Sequence, residues 1–252
     1  MSFYRTVVET DHRLIRGESL APEEKKEIAA SLLAAARPWV PGESGGGREM
    51  SPLFYPPEEG VKVRSLLGQT PKTKLLAGNM VELETLRLLC LLAPEEERVG
   101  LMRDETLRRL KTACFGSQDD GQGECFDASL ITLRFLCAAA PEDLAWIQSR
   151  IDNYNRHTGE KKRPWYALWY FWLCLSEAPL ELALPEIEKH RKLLEEKLRR
   201  SYVMNQEPDR TVHPVILCML RNLFARLPEY GWVRDRQPYI SKTGGRLRLN
   251  LE

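Results

Sequence analysis

Four carboxylates crowd the segment Asp119-Asp120-Gly121-Gln122-Gly123-Glu124-Cys125-Phe126-Asp127, at the entry to an apolar helical stretch. Grouped carboxylates at such an entry suit a general acid or base, or a site for a hard cation or a substrate. Their spacing is not that of an EF-hand loop, and acids at a helix start also stabilise its positive end and cap its N–H groups. His213 stands just ahead of Pro214, where a second apolar stretch begins. If the helices stack, Cys125, Asp127 and His213 converge on one rim, a set suited to zinc or to an activated thiol. Asp127 and His213 are the candidate catalytic residues, and Asp119, Asp120 and Glu124 candidate ligand contacts. No Gly-rich phosphate loop, G-x-S-x-G elbow or H-E-x-x-H pattern is present, and no cofactor or bound metal is expected.

A second candidate is aromatic. Trp165, Trp169 and Trp172 recur at i, i+4 and i+7, flanked by Tyr166, Tyr170 and Phe171. Aromatics at that spacing can line a ligand pocket, with Trp165 and Trp169 as its contacts, but an all-round apolar helix more simply lies in a core. Just before it, Arg156, His157, Lys161, Lys162 and Arg163 form a basic cluster. With Arg234, Arg236, Lys242, Arg246 and Arg248 of the tail it could form a patch for phosphate or nucleic acid, although charge runs of this length usually solvate loops.

The whole-chain balance limits these options. A formal net charge of +1 leaves no excess of positive charge to drive nucleic-acid binding. The longest apolar run, Ala167 to Leu175, is half the ~20 residues of a membrane span, so no membrane contact is expected. The N-terminus lacks the basic and apolar regions of a secretory signal, and none of the six cysteines forms a C-x-x-C pair. Cys90, Cys137, Cys174 and Cys218 lie in apolar helical stretches and read as buried thiols, which places the chain in the reducing cytoplasm.

The elements that must position these residues are helical. Phe3, Val7 and Leu14 share a face of a first helix over 3–16, and Pro22 with Glu23 and Glu24 opens a second to about Ala36. Ten Pro and Gly residues break up 37–60, leaving an N-terminal hairpin (1–36) and a repeat core (61–233) within one domain. Asn79 with Glu82 resembles a capping box, and the following helix is answered by a partner from Pro94 to Phe115, broken near Gly100 and closed by Gly116. Residues 85–96, Thr-Leu-Arg-Leu-Leu-Cys-Leu-Leu-Ala-Pro-Glu-Glu, align without gaps to 132–143, Thr-Leu-Arg-Phe-Leu-Cys-Ala-Ala-Ala-Pro-Glu-Asp, at an offset of 47. Weaker copies are Pro164–Ala178 and Pro214–Leu227. Each unit reads as an apolar helix, a proline turn and a more polar helix such as 184–202, which stack as inner and outer layers. Residues 234–252 read as a small β-hairpin around Gly244-Gly245.

Over 79–233 the repeated hairpins, with a Gly-rich link and an Asp at the next helix start, loosely resemble α/α-toroid enzymes or HEAT-type solenoids. In the toroids, acidic or metal-binding groups gather at inner-helix ends. The expected fold is therefore mainly all-α, stacked helical hairpins with a C-terminal β-hairpin. The expected function is binding of a protein or peptide partner. The alternative is a small toroid-like hydrolase, lyase or transferase using the acidic residues beside an aromatic pocket.

Overall fold

The amphipathic run at the N-terminus forms α1 (Phe3–Arg16), which Gly17 ends in the left-handed conformation at φ 84°. Helix α2 (Pro22–Ala34) starts on proline with Glu23 and Glu24 in its first turn. These coordinates are a computed structural model that describes residues 2–38, 53–56, 63–118, 123–158, 165–204, 207, 209–241 and 244–251, with the side chains of 165 and 166 outside that description. Helix α3 (Lys74–Leu92) begins where the Thr73 hydroxyl accepts the Leu76 N–H at 3.1 Å. Asn79 is thus inside the helix rather than at its cap. Glu82 is buried, accepting the Leu53 N–H at 2.8 Å and pairing with Arg109 at 2.5 Å.

Helix α4 (Glu97–Leu110) runs through Gly100 without a break, and α5 (Cys114–Ser117) is a separate turn. Gly116 lies in α5, where a Cβ would stand 2.1 Å from the Leu110 carbonyl oxygen; close approach, not a helix cap, requires glycine there. Then follow α6 (Gly123–Ala139), α7 (Leu144–Thr158), α8 (Trp165–Glu177), α9 (Leu180–Arg199) and α10 (Asp209–Phe224). The starts expected at 184 and 214 come earlier, and Pro185 and Pro214 are carried inside their helices. A 3-10 helix (Pro228–Asp235) leads to strands β1 (Pro238–Ile240) and β2 (Leu247–Leu249), antiparallel with Tyr239 opposite Arg248. Gly244 and Gly245 turn the hairpin at φ 87° and 58°. The protein is mainly helical with this one small sheet among the described residues.

The two strong repeat copies make matching local bonds. The Thr85 hydroxyl donates to the Val81 carbonyl at 2.6 Å and that of Thr132 to Ala128 at 3.0 Å. The N–H groups of Ala93 and Ala140 each close their helix on the residue four back at 2.9 Å. Pro94 and Pro141 then sit in the turns, ahead of the outer helices rather than in their first turns.

The amphipathic helix α1 and the apolar helices α3, α6, α8 and α10 each pack on the next, and α10 packs on α1, so the circuit closes. They share a direction. Thr73 meets Glu124 at the starts of α3 and α6, Cys174 and Glu177 of α8 follow Leu130 and Arg134 of α6 in step, and Arg226 beyond α10 donates to the Leu175 and Ala178 carbonyls at the end of α8. Helices α2, α4, α7 and α9 lie outside this ring, with partly exposed polar faces. Helix α8 is buried nearly all round, including Trp169 and Tyr170 to Leu175.

Candidate functional site

A charged residue in the middle of an apolar inner helix points toward other helices, and the repeat places two such residues at equivalent positions, Arg87 and Arg134. They meet two carboxylates across the ring. Arg87 Nη1 donates to Asp11 Oδ1 at 2.8 Å and Arg134 Nη1 to Asp11 Oδ2 at 2.7 Å. Glu177 is shared in the same way: Arg87 Nη2 reaches Oε2 at 2.7 Å and Arg134 Nη2 reaches Oε1 at 2.8 Å. The four side chains thus alternate in sign around a closed square of charge-assisted bonds. Arg134 Nη1 also donates to Glu84 Oε2 at 2.5 Å, and the Tyr170 hydroxyl donates to Glu84 Oε1. Four of the five inner helices contribute: α1, α3, α6 and α8.

The square is buried except at its Glu177 corner. The Arg134 side chain is 0% exposed, Asp11 2%, Arg87 and Glu84 5%, while Glu177 at the rim is 21% exposed. Burial pushes the Asp11 carboxyl up, but Arg134 and Arg87 outweigh it and hold it at about 2. Burial pushes Glu84 up as well, with Asp11 adding to the push, and there the guanidiniums do not reverse it. Two arginines balance Asp11 and Glu177, so Glu84 is the surplus negative charge and the carboxyl that most readily holds a proton. His12, lowered by burial, has Nε2 2.8 Å from the Leu66 carbonyl oxygen.

A cavity of about 250 Å³ opens at the C-terminal end of the ring, lined by Leu14, Arg87, Leu91, Cys137, Glu177 and Asn222 among others. Its polar groups are tied to the protein: Asn222 donates to the Ile15 carbonyl at 2.8 Å, and Ser176 donates to that of Leu173 at 2.7 Å. A second cavity, about 50 Å³, lies at the start of α3 and α6 between Ser65, Gln69, Thr70, Lys72 and Asp127. That is room for a water or two, not for a drug-sized ligand.

The described sequence candidates each have neighbours of their own. Asp127 borders the small cavity by the 65–72 segment. His213 Nδ1 lies 2.6 Å from the Val203 carbonyl oxygen, with its ring 5.3 Å from that of Tyr202. Glu124 accepts the Thr73 hydroxyl and fastens α6 to α3. Trp169 is 9% exposed and packs edge-on to Trp172 at 5.2 Å, inside the core. Asp119, Asp120 and the Trp165 side chain lie outside the described residues, as do Lys161, Lys162, Arg163 and Lys242 of the basic groups. Sequence reading passed over Asp11, Glu84, Arg87, Arg134 and Glu177, although the arginines and Glu84 stood out as charges within apolar repeat helices.

The cysteines fall into two kinds, none of them in a disulfide. Cys137, Cys174 and Cys218 are buried as expected, while Cys90 is half-buried; desolvation pushes Cys90 up to about 11 and Cys137 to about 12, and raises Cys174 and Cys218 as well. Cys114 and Cys125 are half-buried and face each other, Sγ to Sγ, at 3.3 Å. Among the described residues no group of three or more His, Cys, Asp or Glu side chains is placed to hold a metal ion, and no helix is long and apolar enough to cross a membrane. Comparison with known protein families, with curated proteins and with solved structures finds no match to this chain.

Proposed function

We propose that this chain is a non-catalytic helical scaffold that binds a protein partner, holding an acidic segment of it against the C-terminal unit. The observation that carries this reading is the exposure of Trp232 (47%), Tyr239 (47%) and Ile240 (59%) within nine residues of chain. Large apolar side chains are normally covered, and Trp, Tyr and Arg dominate the energetics of protein interfaces. Arginines share this unit: Arg236 lies 5.5 Å from the Trp232 ring, Arg248 stands opposite Tyr239 across the strand pair, and Arg234, Arg246 and Arg248 are exposed. That surface complements carboxylates and aromatic rings on a partner.

The unit is also held rigid, which lowers the ordering cost of binding. Arg221 Nη1 donates to the Arg236 carbonyl at 3.1 Å and to Gln237 Oε1 at 3.0 Å, while Tyr202 and Leu247 exchange two backbone bonds of 2.9 Å. Six reduced cysteines fit a cytoplasmic setting. The test is affinity isolation with the full chain beside a Trp232→Ser/Ile240→Ser variant. The expected result is a species held by the parent, lost from the variant and released as salt rises. A species retained equally by both overturns the reading.

A second reading rests on the 250 Å³ cavity, whose floor carries Arg87 and Glu177. It would suit a small polar molecule, with Glu177 as the group in contact. Thermal-shift screening of small polar metabolites against the parent and Glu177→Gln separates this reading from the first.

A further inference from the structure

We propose that Cys114 and Cys125 are a thiol-exchange site, closing to an intramolecular disulfide by reaction with a low-molecular-weight disulfide such as oxidised glutathione. The two sulfurs are 3.3 Å apart, each half-buried, while Cys137, Cys174 and Cys218 are buried. The pair is brought together by packing. Cys114 opens the short turn α5, whose carbonyls are gripped from α7: Trp146 Nε1 donates to Gly116 at 2.7 Å, and Arg150 Nη1 donates to Gln118 at 2.8 Å and Phe115 at 3.3 Å. The tight contact of Gly116 with Leu110 sets the turn against the end of α4. Cys125 sits in the first turn of α6, itself tied to α3 through Glu124 and Thr73. Two thiols carried on separately fastened elements are already in contact, sulfur to sulfur, as bond formation requires.

The step balances. One cysteine loses its proton to solvent, and its thiolate attacks a sulfur of glutathione disulfide. The S–S bond of glutathione breaks, a glutathione thiolate leaves, and the protein carries a mixed disulfide. The second cysteine, deprotonated in turn, attacks the protein-side sulfur and expels the second glutathione thiolate. The two released thiolates take up the two protons. The protein is oxidised by two electrons and glutathione disulfide is reduced to two glutathione thiols. Raised thiols at Cys90, Cys137 and Cys174 keep those residues out of the exchange. The product fastens α5 to α6, closing a loop around residues 115–124 at the entry to the inner helix that carries Asp127 and Arg134.

The test uses the full chain equilibrated in glutathione buffers, quenched with acid, alkylated in denaturant and digested with trypsin. Residues 112–134 form one tryptic peptide that holds both cysteines, with no internal Lys or Arg. The expected result in excess oxidised glutathione is that this peptide loses both alkyl tags and two hydrogens and carries no glutathione. Dithiothreitol reverses the change, and the other four cysteines stay alkylated. In Cys125→Ser, and independently in Cys114→Ser, the remaining cysteine stops at the mixed disulfide. A synthetic 112–134 peptide should require about tenfold or more oxidised glutathione, at fixed reduced glutathione, to reach the same disulfide fraction, because it lacks the packing. Two glutathione adducts on the parent peptide, persistence of both thiols, or equal oxidation of peptide and protein each overturns the proposal.

Discussion

The centre of the ring and the C-terminal unit treat arginine in opposite ways. At the centre, Arg87 and Arg134 are buried and every bond they make is to a carboxylate of the same chain. At the C-terminus, Arg234, Arg246 and Arg248 stand in solvent beside exposed Trp232 and Tyr239. Desolvation forces the first arrangement: a buried guanidinium is tolerable only when its charge and its donors are met, so Asp11 and Glu177 must be in place for the inner helices to close. No such constraint acts on the second set, whose aromatic and cationic surface is free to be matched by another molecule. Internal saturation holds the helices together; external exposure is what the proposed docking rests on.

The largest expected effect lies at the centre. Arg134→Met removes a fully buried guanidinium and strands one oxygen each of Glu84, Asp11 and Glu177, and should cost about 3–5 kcal/mol, the range for breaking a buried pair on one side. Urea unfolding at constant slope measures it. A loss below about 1 kcal/mol would mean the square is wet, and the contrast between the two regions would fail. Next comes Trp169→Ala, expected to cost about 3 kcal/mol because the ring is packed against Trp172 in the core. A variant as stable as the parent would return Trp169 to the list of pocket residues.

Much of the ring was legible in sequence and its centre was not. The 47-residue copy located two inner helices, since ungapped repetition of Leu, Cys and Ala at the same positions demands equivalent surroundings. The N-terminal helix, the hairpin at Gly244-Gly245 and the buried Cys137 followed from periodicity, turn chemistry and apolar neighbours. The square did not, because its bonds join residues 43, 76, 90 and 123 positions apart, and no local pattern encodes which carboxylate will face which arginine. Asn79 was misplaced as a cap because the helix starts six residues earlier, where the Thr73 hydroxyl accepts the Leu76 N–H. Cys114 and Cys125 were missed as a pair because the turn that aligns them depends on Trp146 and Arg150 of a later helix.

The third prediction sharpens the account of the centre through pH. Glu84 has its carboxyl raised by burial above the ordinary 4.5. A raised folded value means stability is fully present below the unfolded value and is lost as pH rises through the folded one. Glu84→Gln lacks that loss. Its stability deficit relative to the parent should therefore shrink as pH climbs from 4.5 toward 7, read as the difference between the two urea midpoints at each pH. His12, lowered by burial, pulls the opposite way by weakening the fold as pH falls below 6.5, but it is present in both proteins and cancels in the difference. A deficit that grows with pH would show that Glu84 is ionised and fully compensated by Arg134.

The smallest effect on stability is expected where the largest effect on binding should appear. Trp232 is 47% exposed on the 3-10 helix, with Arg236 across its ring. Trp232→Ala removes a side chain that covers little of the core, and should shift unfolding by no more than about 0.5 kcal/mol, as surface substitutions usually do. If the C-terminal unit is a docking surface, the same change should weaken partner binding by about tenfold or more, because exposed aromatics flanked by arginine carry a disproportionate share of interface energy. Replacing Arg234 should act mainly on the association rate and its salt dependence, since a rim charge steers encounter more than it holds the complex. The decisive measurement is therefore paired: urea midpoints and partner affinity for the same Trp232→Ala protein. A large stability loss would make Trp232 part of the fold after all. An unchanged affinity would leave the exposed aromatics without a role in association and remove the distinction between a saturated centre and a binding surface.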